Sequence, residues 1–329
     1  MLGKTLPPLV KVGESWEISG VEKNHSIACT PVFSEKTLAQ ILQSYGRELL
    51  GSTVKNTGEF PLLYKLIDAH DKLSVQVHPS DADAKANGWG PFGKTECWYI
   101  VHAGPGAQLV VGFKKGVSKD DVAAAVKNVT LTDLLEFHDI KAGDMVFIPA
   151  GTVHAICSNT VIYEVQQTSD VTFRLYDWGR LDSTGKSRTL HVKESLQVLD
   201  TRWHASYTIP PVRMETLKNG RRTMRIACRY FAIEEYHFHS PGAVRIPRRK
   251  SFSVIMVLDG SVAVCGANPV TLKKGMSALF PAAMQDIDIR TDSHARFLIS
   301  WVPDLRQEVF APLKKLGISK DAIAALGGF

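Results

Sequence analysis

The sequence predicts a mainly β protein built from closed barrels or sandwiches. Strand-like segments dominate its 329 residues, and they are short, rich in Val, Ile, Tyr and Phe, and separated by Gly, Pro, Asp or Asn. Helical patterns are few, and turn signals recur at short spacing, which favours a barrel over alternating strands and helices. No G-x-G-x-x-G or Walker loop is present, so nucleotide binding has no support.

The sequence predicts two domains, residues 1–210 and residues 211–329, each with its own strands and helices. A first helix is expected from a cap at Ser34 to Gly51, a second after the cap at Ser118, and a third across "TLTDLLEF". Because "DTRWHASYTIPPVRME" loses periodicity around two prolines, it is expected to be a linker. The second domain resumes with strands and ends in one or two short helices. The strands expected in the first domain are "YKLIDAHDKLSVQVH", "TECWYIVHA", "AQLVVGF", "DMVFIP", "VIYEVQQ" and "VTFRLYDW".

Composition excludes several classes of protein. The five cysteines are scattered and never in a CxxC, which argues against a disulfide scaffold. No run of 18 apolar residues and no signal-peptide pattern occurs, so we expect no membrane partner and a cytoplasmic location. The net charge of +6 suits an anionic small substrate. The basic runs at residues 219–225 and 245–250 lack interleaved aromatics, so we expect them to be solvated surface and expect no nucleic-acid partner.

The strongest local signal is "KAGDMVFIPAGTVHAI". Its spacing, Gly143-x5-Pro149-x-Gly151-x2-His154, fits the second motif of the cupin barrels. Turn residues flank a short apolar strand, and the chain returns with His154 aimed into the barrel. The second half of the chain has Met and Gln where this motif needs ligands, so His237 and His239 are expected to lie in a degenerate barrel without metal.

Two further strands carry side chains suited to a metal. In "LSVQVHP", alternation places Gln76 and His78 on the face opposite the valines. In "GKTECWY", Glu96 interrupts an apolar strand, where an unpaired carboxylate would be costly. With His154, these residues make a set of two nitrogens and two oxygens that suits zinc or another borderline divalent ion. A structural ion pair between Glu96 and Lys94 or Arg174 is the alternative.

These motifs, with "SDVTFR" and "GESWEIS", resemble the type I mannose-6-phosphate isomerases, specifically their short bacterial form. The resemblance covers about residues 10 to 180. It implies a cupin (double-stranded β-helix or jelly-roll) barrel, a second degenerate cupin-like β-barrel and a few short helices. It also implies one Zn²⁺ per chain. The implied ligands are Gln76, His78, Glu96 and His154.

The same resemblance implies the remaining site residues. Arg174 matches the family's catalytic arginine, and Glu164 and Lys94 match two further residues of its active site. Lys65 and Ser74 match positions at which the family binds substrate. Since Lys65, Lys94 and Arg174 are cations on apolar strands, they suit a phosphate dianion. Each of them can instead form a structural ion pair.

The implied reaction interconverts mannose 6-phosphate and fructose 6-phosphate through a cis-enediol. Glu164 is the expected proton-transfer base and Lys94 its competitor. The alternatives are a metal-dependent cupin dioxygenase, which would want an apolar pocket, and a non-catalytic sugar-binding cupin, which has no need of a buried base. The expected partner is a hexose phosphate, and the chain is expected to be a monomer or a homodimer.

Overall fold

Antiparallel sheets make up most of the structure, a computed structural model, and the helices are short. The predicted mainly β class is therefore confirmed. The structure describes residues 2–4, 11–56, 58–182, 184–266 and 269–327. In these ranges, no helix combines the length and the apolar character that crossing a membrane requires.

The chain divides into two compact units. We call Val12–Trp16 with Leu62–Thr208 the central unit. The described parts of Met1–Lys11, Glu17–Pro61 and Ile209–Phe329 form the terminal unit. The expected division into functional domains at residue 210 stays a prediction.

Two five-stranded sheets build the central unit, in the orders β1-β2-β9-β4-β7 and β10-β3-β8-β5-β6. β1 continues two residues into the terminal unit. The strands are β1 (Glu14–Ile18), β2 (Leu62–Ala69), β3 (Val75–Val77), β4 (Glu96–Ala103), β5 (Gln108–Phe113), β6 (Leu135–Asp139), β7 (Met145–Ile148), β8 (His154–Ile156), β9 (Thr160–Gln167) and β10 (Phe173–Tyr176).

Alternation along β3 separates an apolar face from a polar one. Val75 and Val77 are fully buried and pack in a core cluster with Val110 and Val153. Strand β9 differs, because all eight of its residues are buried, including Glu164. A strand covered on both faces normally carries apolar side chains only. The carboxyl group in β9 therefore indicates a polar site inside the central unit.

The helices are α1 (Leu38–Leu50), α2 (Asp81–Asn87), α3 (Lys119–Lys127), α4 (Val192–Val198), α5 (Ala311–Lys315) and α6 (Lys320–Ala324). The predicted cap of α3 at Ser118 is confirmed, since its hydroxyl accepts from the N–H of Asp121. The predicted cap of α1 at Ser34 is wrong. Thr37 is the cap, because it forms a reciprocal capping box with Gln40.

The helix predicted across "TLTDLLEF" is also wrong. Only Leu131–Leu134 form a 3-10 helix, and the following residues form β6. Strand β6 pairs with β5, with Phe137 opposite Val110. The free edge of β5 offers a ladder of backbone hydrogen bonds, which outweighs the local preference for helix.

The terminal unit contains a nine-stranded sheet in the order β11-β12-β13-β19-β15-β18-β14, with β16 and β17 paired to β15. Stacked aromatic rings fill its interior, as in the pair Tyr236 and Phe297, whose centroids lie 5.1 Å apart. The strands are β11 (Val212–Leu217), β12 (Gly220–Ala227), β13 (Ala232–Phe238), β14 (Gly242–Ile246), β15 (Ser253–Cys265), β16 (Val270–Lys273), β17 (Ser277–Phe280), β18 (Ile287–Thr291) and β19 (Ala295–Trp301).

A buried carboxylate ties this sheet to the segment before β15. Glu234 is fully buried and accepts hydrogen bonds from Arg222 (2.7 Å), Arg249 (2.9 Å) and the hydroxyl of Tyr236 (2.9 Å). Burial alone would raise the pKa of Glu234, but the two arginines outweigh it and hold the pKa below its usual range. Glu234 is therefore an ion whose charge two cations neutralise.

Replacing Glu234 with alanine is expected to destabilise the protein by about 3–5 kcal/mol, because the buried Arg249 and the partly buried Arg222 lose the carboxylate that they share. The matched control is Glu215→Ala. Glu215 lies 3.8 Å from the same Arg222, but its side chain is half exposed, so its loss should cost less than about 1 kcal/mol. Urea unfolding followed by circular dichroism measures both. Equal shifts for the two variants would contradict this account.

Candidate metal centre and active site

Three buried side chains converge inside the central unit. Glu96 begins β4, His154 begins β8, and His78 directly follows β3. Glu96 lies 3.5 Å from His78 Nε2 through Oε2 and 3.4 Å from His154 Nε2 through Oε1. One ligand atom from each residue lies within 4.8 Å of the others. Such a group can hold a metal ion.

Backbone carbonyl groups orient both imidazoles. Nδ1 of His78 lies 2.9 Å from the oxygen of Val171, and Nδ1 of His154 lies 2.9 Å from the oxygen of Thr152. Because a carbonyl only accepts, Nδ1 carries the proton and Nε2 presents its lone pair to Glu96. Burial lowers the pKa of His154 to about 4 and that of His78 well below its usual range, with Lys94 adding to the second effect. Both rings are therefore neutral near pH 7, as metal binding requires.

The central carboxylate has an ion-pair contact with Lys94 but lacks the hydrogen bonds that its burial demands. Both oxygens of Glu96 and Nε2 of His154 are buried, and none has a hydrogen-bond partner in the described residues. Leaving such atoms unpaired is costly. Burial raises the pKa of Glu96, although Lys94 opposes this effect. A divalent cation would satisfy all three atoms at once, so the residues fit a metal.

Gln76 lies on the same wall as His154. The two residues are directly opposite in the β3–β8 ladder, and Gln76 is also opposite Arg174 in the β3–β10 ladder. Directly opposite residues point to the same face of a sheet. The amide is thus on the face that carries His154. Its role as a fourth ligand stays a prediction.

A second buried carboxyl group, Glu164, lies on β9, the strand next to β4 with Glu96. It faces Lys65 and Trp98 in neighbouring strands. The indole N–H of Trp98 donates to Oε1 of Glu164 at 2.9 Å, and Nζ of Lys65 lies 3.8 Å from Oε2. Burial raises the pKa of Glu164, and the charge of Glu96 adds to it. This carboxyl group therefore titrates closer to neutrality than an ordinary one.

The two lysines contact these groups differently. Nζ of Lys94 lies 3.0 Å from Nε2 of His78 and 3.4 Å from Oε2 of Glu96. Nζ of Lys65 lies between Glu164 and Glu14, 3.7 Å from the latter. Burial alone would lower the pKa of Lys65, but these two carboxylates outweigh it and raise the pKa. Lys65 therefore stays a cation.

Arg174 lies opposite Gln76 on the neighbouring strand β10, and Ser74 lies two residues before Gln76. Arg174 is half-buried, its Nη1 donates to the oxygen of Thr189 at 2.9 Å, and its Nε has no hydrogen-bond partner in the part of the chain described. Burial, with Arg188 second, lowers the pKa of Arg174. Ser74 is buried and directly precedes β3. The roles of both residues stay predictions.

Three contacts of this site were not predicted from the sequence. Trp98 follows Glu96 by two residues, so alternation places both side chains on one face of the strand, but this pattern assigns Trp98 no role. Glu14 and Trp16 of β1 both contact Lys65, the ring of Trp16 at 4.7 Å. Nothing in the local pattern links β1 to Lys65, since this contact depends on sheet pairing.

Known proteins match this chain over most of its length. A family model described as phosphomannose isomerase type I, catalytic domain, matches residues 7–89. The mannose-6-phosphate isomerase ManA of Bacillus subtilis (strain 168) is 32% identical over 302 residues, 91% of each chain. The chain belongs to the type I phosphomannose isomerase family. The mannose-6-phosphate isomerase of Streptococcus mutans is 33% identical over 275 residues, 83% of this chain and 84% of the relative.

Solved structures of phosphomannose isomerases agree with this assignment. The crystal structure of mannose 6-phosphate isomerase from Bacillus subtilis has a TM-score of 0.81 and 31% identity, and the match covers 91% of this chain and 92% of the other. A variant of phosphomannose isomerase from Salmonella typhimurium has a TM-score of 0.71 at 16% identity, with 91% and 93% covered, and shows the fold alone. These matches confirm the predicted family resemblance and the predicted cupin fold.

Proposed function

We propose that this chain is a zinc-dependent isomerase that interconverts mannose 6-phosphate and fructose 6-phosphate. The observation that carries the proposal is a buried carboxyl group, Glu164, together with the buried group of His78, Glu96 and His154, in which atoms of Glu96 and His154 lack hydrogen bonds. The names of the relatives supply the substrate. An aldose–ketose isomerase needs these two elements, a base with a raised pKa and an electrophile beside the sugar carbonyl.

His78, Glu96 and His154, with Gln76 as the fourth ligand, would hold one zinc ion. One carboxylate, two imidazoles and no thiolate suit zinc in a catalytic site. When bound, the ion supplies Lewis acidity to the oxygens of the substrate. Lys94 contacts His78 and Glu96, and it would keep both ligands in their orientation and charge state.

Glu164 would move the proton between carbons 1 and 2 of the sugar. Its carboxylate takes the C2 proton of the aldose while the C1 carbonyl oxygen gains the negative charge, which gives a cis-enediolate. A proton then passes from O2 to O1, and Glu164 returns its proton to C1 to form the ketose. The raised pKa of Glu164 favours both halves of this transfer near neutral pH. Trp98 and Lys65 hold the two carboxylate oxygens and thereby orient the base. Lys94 stays the competing candidate for this role.

Lys65, Ser74 and Arg174 would bind the substrate and its phosphate. Arg174 is the best placed of these for an anion, since its guanidinium group is half-buried and makes no ion pair among the residues that the structure describes. A planar guanidinium group can donate two parallel hydrogen bonds to a phosphate.

Arg174→Ala is expected to lower kcat/KM by about ten- to hundredfold, the effect of one hydrogen bond to a charged group of about 1.5–3 kcal/mol. Most of the loss should appear in KM, because the phosphate does not change during the reaction. Steady-state kinetics on mannose 6-phosphate measures both constants. The control is Arg202→Ala, an exposed arginine paired with Asp200, which should leave both constants unchanged. Unchanged kinetics of Arg174→Ala would remove Arg174 from the site.

The test of the function is turnover of mannose 6-phosphate and fructose 6-phosphate, before and after stringent chelation. We expect isomerisation in both directions, its loss on metal removal and its return with zinc. A dioxygenase would instead require iron and consume oxygen, and a sugar-binding protein would bind without turnover. Activity that survives complete metal removal would refute the metal-dependent proposal.

A further inference from the structure

A basic cavity of about 490 Å³ lies in the terminal unit, whereas every residue proposed for catalysis belongs to the central unit. Three segments line it: the end of α1 with the residues after it, the loop between β14 and β15, and the turn after β17. Its volume falls in the usual range of small-molecule sites, about 300–1,000 Å³. The lining residues are Arg47, Glu48, Gly51, Ser52, Arg248, Arg249, Lys250, Ala282 and Ala283.

Backbone hydrogen bonds join the three segments. The N–H groups of Ala282 and Ala283 donate to the carbonyls of Leu49 and Glu48, both at 2.9 Å, and the N–H of Ser52 donates to Lys250 at 2.8 Å. The first two bonds satisfy carbonyls at the C-terminal end of α1, where a helix concentrates negative partial charge. The walls therefore do not depend on the lining side chains.

Gly51 allows the close approach of two of these segments. It has a φ of +79°, and a Cβ atom at this position would lie 2.1 Å from the carbonyl oxygen of Lys250. Only glycine fits both the conformation and the space. The contact between the end of α1 and the loop between β14 and β15 therefore requires glycine at position 51.

Positive charge dominates the lining, with four cations and one acid, Glu48. Two of the cations already have acidic partners, since Arg249 pairs with Glu234 and Lys250 with Asp304 at 2.6 Å. Arg47 and Arg248 form no ion pair within the described ranges of the chain. Arg248 donates through Nε to the carbonyl of Ala282, so its two terminal amino groups stay available for a ligand.

We propose that this cavity is a second anion site, which binds a small phosphate-bearing metabolite. Two guanidinium groups without an ion-pair partner in the described residues suit a phosphate, because each can donate paired hydrogen bonds to its oxygens. The volume of the cavity suits a small occupant. Aromatic side chains, which a single-stranded nucleic acid would stack on, are missing from the lining.

Calorimetric titration with inorganic pyrophosphate tests the proposal on four full-length proteins: wild type, Arg47→Ala, Arg248→Ala and Arg245→Ala. Arg245 is the matched control, since it belongs to the same basic run, pairs with Asp288 on the exposed surface and does not line the cavity. We expect wild type and Arg245→Ala to bind alike, and Arg47→Ala and Arg248→Ala to bind at least tenfold more weakly at this site.

Each variant removes one positive charge, so a general electrostatic effect would weaken all three equally. Arg47 is an exposed residue of α1, and its replacement should leave folding and pyrophosphate-free isomerase activity unchanged. Arg47→Ala therefore stays informative even if Arg248→Ala unfolds. Equal affinities in all four proteins, as binding at the catalytic site alone would produce, would refute the proposal. So would the absence of any pyrophosphate binding to the wild type.

Discussion

His154→Ala is expected to lose its bound metal and to lower kcat/KM by about three powers of ten or more. The substitution removes one of the two buried imidazoles that face Glu96. Losing a Lewis acid costs several kcal/mol of transition-state stabilisation, and about 1.4 kcal/mol is a factor of ten in rate. Because His154 is fully buried, the cavity left by the ring adds a loss of stability.

Two measurements separate these effects: the metal content per chain by elemental analysis, and kcat/KM for mannose 6-phosphate. The control is His102→Ala, which removes an exposed histidine from the same strand as Glu96. We expect the control to keep one metal per chain and its full activity. A folded His154→Ala protein with stoichiometric metal and normal turnover would exclude His154 from the ligands.

Glu164→Gln is expected to lower kcat by about two to four powers of ten, the usual contribution of a positioned general base. The amide has the shape of the carboxylate, and its oxygen can still accept the hydrogen bond of Trp98. It cannot take a proton from carbon. Metal content and folding should therefore be preserved, and the loss should appear in kcat.

Exchange of the C2 proton with solvent, followed in D2O, tests the role of Glu164 directly. We expect exchange to stop in Glu164→Gln and to continue in Lys94→Gln. The matched control is Glu14→Gln, which removes the other carboxylate near Lys65, a half-exposed one. Normal exchange in Glu164→Gln together with its loss in Lys94→Gln would reassign the base to Lys94.

Local patterns predicted the elements that depend on few neighbouring residues. The strand expected at Met145–Ile148 occurs with these bounds, because Gly143 and Pro149 place turns at both of its ends. Alternation along "GKTECWY" directs Cys97 away from Glu96, and Cys97 is fully buried in the core. Composition and turn signals were therefore enough to predict the order of the strands along the chain.

Local patterns failed where neighbouring strands decide the structure. Residues 135–137 belong to the pattern predicted to be helical, yet they form β6 with the next two residues and pair with β5. The same limit applies to Lys65, whose contacts with Glu164 and Glu14 join strands β2, β9 and β1. Secondary-structure propensity depends on one segment at a time, whereas strand pairing also depends on a partner that lies far away in the chain.

The sequence by itself determined which residue types face the interior of the central unit, because a strand alternates with a period of two whatever its partners. It thus indicated that Gln76 and His78 share one polar face and that Glu96 interrupts a separate apolar strand. Only the tertiary structure decided which side chains meet. It set the distances from Glu164 to Trp98 and Lys65, and it brought together the three segments that line the basic cavity. Such distances depend on strand register and on loop closure between residues far apart in the chain, which no local pattern encodes.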